Sequence, residues 1–315
     1  MTARRILVTG IAGFVGPHLT TRLVRDGHTV LGLGAEPSPP SLRERLAGEW
    51  IADLRDAHAV AEAIAAARPD AVVHLAAQSS AARSFEAPAE TFAINVGGTW
   101  NVLEAVRAHA PHARVLAVGT GEVYGPQPPG TRTPESTPVH PVSPYALSKA
   151  AGEAVCHVVH EAHGLDVVCA RAFGHIGPGQ TPRFFLPAFA QQIAAIEAGR
   201  SESVLKVGNL DVVRDLCDVR DVVDAYALLL ERGVAGTDYN VCRSEGVKLS
   251  DVVARLVARA RVPVRVEPDP ARMRPADIAY LVGDPAVIEA ACPWKAATPL
   301  DRSLDDVLTE WRRPA

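Results

Sequence analysis

Apolar residues in the first 170 positions fall into short blocks that alternate between two periods. Arg5 to Thr9 reads as a buried strand around the apolar run Ile6-Leu7-Val8, Phe14 to Asp26 carries apolar positions at helical spacing, and Thr29 to Leu33 reads as a second strand. The alternation continues with Ala57 to Ala67 helical, Ala71 to Leu75 extended, Pro88 to Ala110 helical and Val115 to Val118 extended. Pro144 to His163 is then helical and Val167 to Ala170 extended. Strands that are apolar throughout, separated by amphipathic helices, belong to a mostly parallel sheet covered on both faces. The pattern therefore predicts an α/β chain. Residues 34–50 and 125–143 are rich in proline and read as loops, the first with one short helix and a possible third strand at Trp50-Ile51-Ala52.

After Arg171 the rhythm breaks. Residues 174–187 read as a Gly/Pro-rich loop, Phe189 to Ala198 as a helix, and Val204 to Val207 and Val212-Val213 as short strands. Val219 to Glu231 and Leu249 to Ala260 are helical, Tyr239-Asn240-Val241 and Val264-Arg265-Val266 extended, and Leu304 to Trp311 closes with a helix. This predicts a smaller mixed α/β lobe beside the first, with a cleft between them. The chain order divides it into 1–173 plus 215–235 for the first lobe and 174–214 plus 236–315 for the second.

The composition narrows the function. A net charge of -4, from 32 basic and 36 acidic residues, offers no basic field for nucleic acid or an anionic membrane. The N-terminal apolar run stops at Gly10, too short for a signal-peptide core or a membrane span. Cys156, Cys169, Cys217, Cys242 and Cys292 are scattered without a C-x-x-C pair, so they read as buried thiols in a reducing cytoplasm, with no metal cluster.

Gly10-Ile11-Ala12-Gly13-Phe14-Val15-Gly16 lies between the first strand and the first helix. Glycines there permit a tight turn, close approach of backbone to a pyrophosphate and close helix packing, with the helix N-terminus facing the phosphates. The context predicts a Rossmann-type sheet that binds a dinucleotide. The second strand ends Gly32-Leu33-Gly34, without the acid that NAD-preferring folds place there for the ribose hydroxyls. Arg43 and Arg45 follow in the next loop, so NAD and NADP both remain open, with a lean to NADP. Asp53-Leu54 follows the third strand, where Asp53 either accepts from the adenine amino group or caps the next helix.

Tyr145 and Lys149 stand four apart on one helical face, and Lys149 is one of only four lysines among 32 basic residues. A nearby cation favours the phenolate, so the spacing predicts that Tyr145 exchanges protons near neutral pH. Thr120 follows the strand Val115 to Val118 and can bond the same substrate oxygen. Three such groups around one alcohol or carbonyl suit hydride transfer.

At this point the chain resembles the extended short-chain dehydrogenases/reductases, the NAD-dependent epimerase/dehydratase family. Gly10 to Gly16, His74-Leu75-Ala76-Ala77-Gln78, Asn95-Val96-Gly97-Gly98-Thr99, Thr120 to Gly125 and Tyr145 to Lys149 match it in order. The resemblance implies that Leu75, Ala76, Ala77 and Gln78 line the cofactor, that Asn95 braces the sheet end and that the substrate is a nucleotide-diphosphate sugar. It also implies a homodimer through the helices around Asn95 to Ala110 and Pro144 to His163. Within the family, the second lobe is most similar to GDP-4-keto-6-deoxymannose reductases, through His175 to Gln180, Val207 to Asp215 and Asp269 to Asp277. By that similarity Gln78, Thr120, Glu122, Gly174, Gln180, Val207, Arg214 and Arg274 face the substrate, with the two arginines on its phosphates or ribose.

Two positions depart from the family. Gly174 stands where an asparagine usually contacts the substrate. Glu122 matches the acid that related 4,6-dehydratases use at C5 and C6, but the Asp or Ser that usually precedes it is Gly121 here. The expectation is therefore reduction of a C4 ketone on a GDP-4-keto-6-deoxyhexose. Dehydration or epimerisation with a retained NAD(P) is the alternative, and a non-catalytic dinucleotide sensor a remote one.

Overall fold

The computed structural model describes residues 3–273 and 277–313. In chain order its strands are β1 (Arg5–Thr9), β2 (Thr29–Gly34), β3 (Gly48–Ile51), β4 (Ala71–His74), β5 (Arg114–Val118) and β6 (Val167–Ala172). They continue with β7 (Gly174–Ile176), β8 (Val204–Val207), β9 (Val213–Asp218), β10 (Asp238–Val241), β11 (Gly246–Lys248), β12 (Arg265–Pro268) and β13 (Tyr280–Leu281).

Seven strands form one parallel sheet in the order β10-β6-β5-β4-β1-β2-β3. Neighbouring residues in each apolar run go to opposite faces. Ile6 and Val8 join the core under helices Val15–Arg25 and Val219–Arg232, while Leu7 joins the core under Ala57–Ala67, Gly98–His109 and Pro144–His163. Both faces are dry, which is why the strands lack polar alternation. Strand order reverses between β1 and β4, so a crevice opens at their carboxyl ends, the usual ligand position in such sheets.

Local chemistry fixes the helix ends. Asp56 accepts from the His58 and Ala59 amides at 3.1 and 3.0 Å to start Ala57–Ala67. Ser143 accepts from the Ala146 amide at 3.1 Å, Pro144 takes the first helical position, and Gly164 at φ 68° ends Pro144–His163.

The chain departs from the sequence reading in four places. Pro88 to Ala110 is not one regular helix: Pro88–Phe92 and Gly98–His109 flank a π-helical turn at Ala93–Gly97. Tyr239 to Val241 belongs to β10, the seventh strand of the large sheet, although chain order groups it with the second lobe. Gly174–Ile176, expected as loop, is β7, which pairs with β9. The helix expected from Phe189 begins at Phe185.

The smaller lobe centres on β9, flanked by β7, β13 and antiparallel β11, with β8 and β12 as a separate parallel pair. Its own core joins helices Phe185–Glu197, Leu249–Val257 and Leu300–Trp311. All five cysteines are free and buried. No helix among the described residues is long and apolar enough to cross a membrane.

Candidate active site

The glycine turn closes on itself and on β4. Gly10 adopts φ 68°, and a side-chain carbon there would lie 2.8 Å from the Ala76 backbone. At Gly16 such a carbon would overlap the Ile11 carbonyl, so this glycine serves the turn itself more than helix–sheet packing. Gly13 is exposed, and the Gly10 carbonyl alone stands within contact of its missing side chain. Phe14 leads into helix Val15–Arg25 without a side-chain cap. The first helical amides are thus left for an external acceptor, and a dinucleotide pyrophosphate fits that need.

On the adenosine side the predicted groups are partly committed. Asp53 accepts from the Arg55 amide at 2.9 Å and pairs with its guanidinium at 2.5 Å, while the helix cap falls to Asp56. Leu54 is buried, and its carbonyl accepts from Asn101 at 2.7 Å. Arg43 pairs with Glu49 at 3.2 Å and donates to the Ser38 carbonyl at 3.0 Å, and Arg45 bonds Thr21 at 2.9 Å.

Asn95 sits inside the π-helical turn, a local widening often found at functional sites. Its carbonyl oxygen accepts from the Gln78 amide at 2.8 Å, and its amide nitrogen donates to the Gln78 carbonyl and Ser148 hydroxyl at 3.0 and 2.9 Å. Ser148 donates in turn to the Tyr145 carbonyl at 2.7 Å. Asn95 therefore braces the loop after β4 against the helix that carries Tyr145. The Gln78 side chain is tied to Ser80 and Thr91, which leaves the backbone of Leu75, Ala76 and Ala77 to line the crevice. His74 bridges Thr9 and Thr99 at 2.8 and 3.0 Å, and burial drops its pKa to about 3, so it stays neutral.

Tyr145 and Thr120 meet through a side-chain hydrogen bond. Lys149 donates to the carbonyl of Val118 at the end of β5. Burial lowers the Lys149 pKa to about 8. Burial, followed by the Glu122 charge, pushes the Tyr145 phenol above its ordinary range, against a smaller opposing effect of the Thr120 bond. The spacing argument predicted the opposite direction. Burial and the Glu122 charge dominate, and Tyr145 is held as a protonated phenol.

Across the crevice, Phe14 stacks on His175 at 5.8 Å with the rings 5° apart. His175 is neutralised by burial and its Nδ1 lies 3.1 Å from the Phe173 carbonyl. Gln180 donates to the His175 carbonyl at 3.2 Å, while its own carbonyl oxygen is buried without a partner among the described residues. Gly174 is exposed, but a side-chain carbon there would come within 2.8 Å of the Asp215 carbonyl. Arg214 pairs with Asp277 at 2.6 Å and donates to the Ile278 carbonyl. The Val207 side chain is buried in the small lobe's core, so its backbone is what it can offer a ligand. Arg274 lies outside the described residues.

Residues 6–242 match the NAD dependent epimerase/dehydratase family. The chain belongs to that family. It is 37% identical to the GDP-6-deoxy-D-mannose reductase of Pseudomonas aeruginosa over 310 residues, 98% of this chain and 97% of that one. Its fold superposes on RMD from Pseudomonas aeruginosa complexed with NADPH, with a TM-score of 0.87 at 34% identity, covering 98% and 99% of the two chains. The UDP-glucose 4-epimerase of Thermus thermophilus, complexed with NAD, gives the same TM-score of 0.87 at 31% identity over 98% and 99% of the chains. The family binds NAD or NADP, and the uncapped glycine turn of this chain fits either. Among the residues that pattern reasoning did not single out is Phe173, whose ring stands against the turn after Thr120 at Gly121. It lies 52 positions away in sequence, so no local signal marks it.

Proposed function

We propose that this chain is a reductase of a nucleotide-activated sugar, acting on the C4 ketone of a GDP-4-keto-6-deoxyhexose. When bound, the reduced dinucleotide supplies the hydride. Tyr145 donates its proton to the ketone oxygen as that oxygen becomes an alcohol, and Thr120 holds the same oxygen. Lys149, as the ammonium, stabilises the phenolate left on Tyr145. A phenol held protonated suits this direction of transfer.

The observation that carries the reading is at Gly121. A side-chain carbon there would lie 2.9 Å from three ring carbons of Phe173. The ring fills the space in which an acid would protonate a departing hydroxyl, so elimination lacks its proton donor. Glu122, whose charge reaches Tyr145, supports the retained-cofactor alternative. The likeness to the Pseudomonas reductase over nearly the full length supports a GDP-linked substrate.

The test is an assay with GDP-4-keto-6-deoxymannose. One reduced nicotinamide consumed per sugar supports reduction. Turnover without net cofactor change favours dehydration or epimerisation, and no turnover with cofactor bound favours the sensor. In a thermal-shift panel of GDP, UDP, dTDP and CDP, GDP is expected to stabilise the protein most. If UDP or dTDP shifts the transition and GDP does not, the substrate assignment falls.

The rate of reduction is expected to fall as pH rises through about 8, because the ammonium of Lys149 is lost there. The sign follows from burial, which disfavours the charged form and brings the loss below the ordinary lysine range. A kcat/KM profile that stays level up to that ordinary range would contradict the role of Lys149. Exposed Trp100, Leu147 and Val158, on the packed helices Gly98–His109 and Pro144–His163, support a homodimer. The five unpaired cysteines support a cytoplasmic setting.

A further inference from the structure

In the parallel pair of β10 and β6, Asp238 is the register partner of Cys169. Such partners send their side chains to the same face, and Cys169 belongs to the core under helix Pro144–His163. That helix brings His157 onto the pair, with Nε2 3.0 Å from Oδ1 of Asp238. The imidazole, thiol and carboxylate each offer one donor atom, and these atoms lie within 4.8 Å of one another. No other trio of metal-ligating groups converges in this way among the described residues. The three come from three elements, so no spacing motif announces them.

The carboxylate is held as a ligand would be. Arg171 takes Oδ2 at 2.7 Å, while Oδ1 is buried and accepts no well-aligned hydrogen bond from a described residue. An outer donor that fixes one oxygen and leaves the other free is usual behind a metal-bound carboxylate. The charges also suit a dication. With a thiolate and a carboxylate it makes a neutral group, and the Arg171 guanidinium has its own partner in Glu153 at 2.5 Å. Donors around a tetrahedral zinc ion stand about 3.3–3.6 Å apart, so side-chain shifts of about 1 Å complete the set. The ion sits among the donors in place of the thiol proton and needs no larger void. His157 is partly exposed and gives the way in. A cavity bordered by Cys169, Cys156 and Glu153 has room for a water molecule as fourth ligand.

We propose that His157, Cys169 and Asp238 bind one divalent ion of the zinc class. The mixed sulfur, nitrogen and oxygen set selects such an ion over magnesium or calcium. Binding forms a bond from the Cys169 sulfur to the ion and releases the thiol proton to water. His157 lies about 18 Å along the helix from Tyr145, so the ion is structural. It pins β6 and the edge strand β10 to the helix that carries Tyr145 and Lys149. The assignment does not depend on which sugar ketone is reduced.

The test uses the full chain, reduced and stripped with a chelator. Co2+ alone is expected to give a thiolate-to-cobalt charge-transfer band and the strong visible bands of a tetrahedral site, at one ion per chain. Zn2+ should displace it and raise the Tm. Cys169→Ala should abolish the charge-transfer band. Cys169→Ala and His157→Gln should each weaken Zn2+ binding at least about 100-fold, since even the outer partners of a metal are worth about 10- to 100-fold. Circular dichroism checks the fold of both, and the partly exposed His157 position decides the matter if Cys169→Ala does not fold. Absence of the cobalt band in the parent would overturn the proposal. So would a band that survives Cys169→Ala, which would place the ion on another thiol. Zn2+ affinity retained in His157→Gln would also overturn it, leaving the trio an ion pair beside a free thiol.

Discussion

Tyr145→Phe is expected to lower kcat for ketone reduction by about 10³-fold, the size of contribution typical of a positioned general acid. The affinity for the dinucleotide should stay close to that of the parent, because the variant keeps the ring and the backbone bonds of Tyr145. Those bonds run from its amide to Ser84 at 3.0 Å and from Ser148 to its carbonyl at 2.7 Å. Thr120 keeps its place at the strand end, where its hydroxyl also accepts from the Glu122 amide at 3.2 Å. The variant thus separates proton donation from binding. Single-turnover kinetics under saturating cofactor would measure the effect. A decrease of less than about tenfold would move the proton donor elsewhere, with Glu122 the next group to examine.

The largest expected effect on stability lies behind the site, at Arg171. Its side chain is buried and uses its whole fork. Nε and Nη2 hold Glu153 at 2.9 and 2.5 Å, Nη2 also holds Asp238 at 2.7 Å, and Nη1 donates to Tyr124 and the Glu135 carbonyl at 2.8 and 3.3 Å. One guanidinium thereby joins β6, β10, the helix of Tyr145 and the turn that follows Thr120. Arg171→Met would leave Glu153 without its cation in a poorly solvated place and Asp238 with His157 alone, at 3.0 Å. The expected cost is about 3–5 kcal/mol, read as a Tm lower by about 10 °C. Arg171→Lys should recover only part of this, because an ammonium cannot span acceptors on several elements as a planar fork does. The double variant Arg171→Met/Glu153→Leu should lose less than Arg171→Met alone, since a buried charge is removed along with its partner. Chemical denaturation at neutral pH would check all three. A loss below about 1 kcal/mol for Arg171→Met would mean that water reaches the network.

Much of the large lobe was legible because its signals are local. An apolar run between amphipathic helices already implies two covered faces, and the placement of Gly10 to Gly16 between strand and helix implies the phosphate turn. The pair Tyr145 and Lys149 was legible from spacing on one helix. The protonation state of Tyr145 was not, because burial is set by the whole fold and here raises the phenol together with the Glu122 charge. The reason for Gly121 was equally hidden, since it lies in the ring of Phe173, between β6 and β7. Ala93 to Gly97 carries the same residue types as the helices beside it, so the wider turn around Asn95 leaves no mark in composition. In the smaller lobe, β7, β11 and β13 are two or three residues long. They are too short for a period to register, and they exist only through β9.

The position of β10 has a consequence for how the molecule can be made or divided. The chain leaves the large sheet after β6, builds β7, β8 and β9 of the smaller lobe, and returns to lay down the seventh strand. Until that return, β6 is an open edge whose unpaired amides and carbonyls can template another chain. A ribosome emitting the protein must deliver about three quarters of its length before that edge is closed, a window in which sticky intermediates gather. Nor can a single cut release either lobe intact. A fragment stopping before residue 238 keeps the phosphate turn and the Tyr145 helix but carries the bare strand, and its remainder carries away the cover.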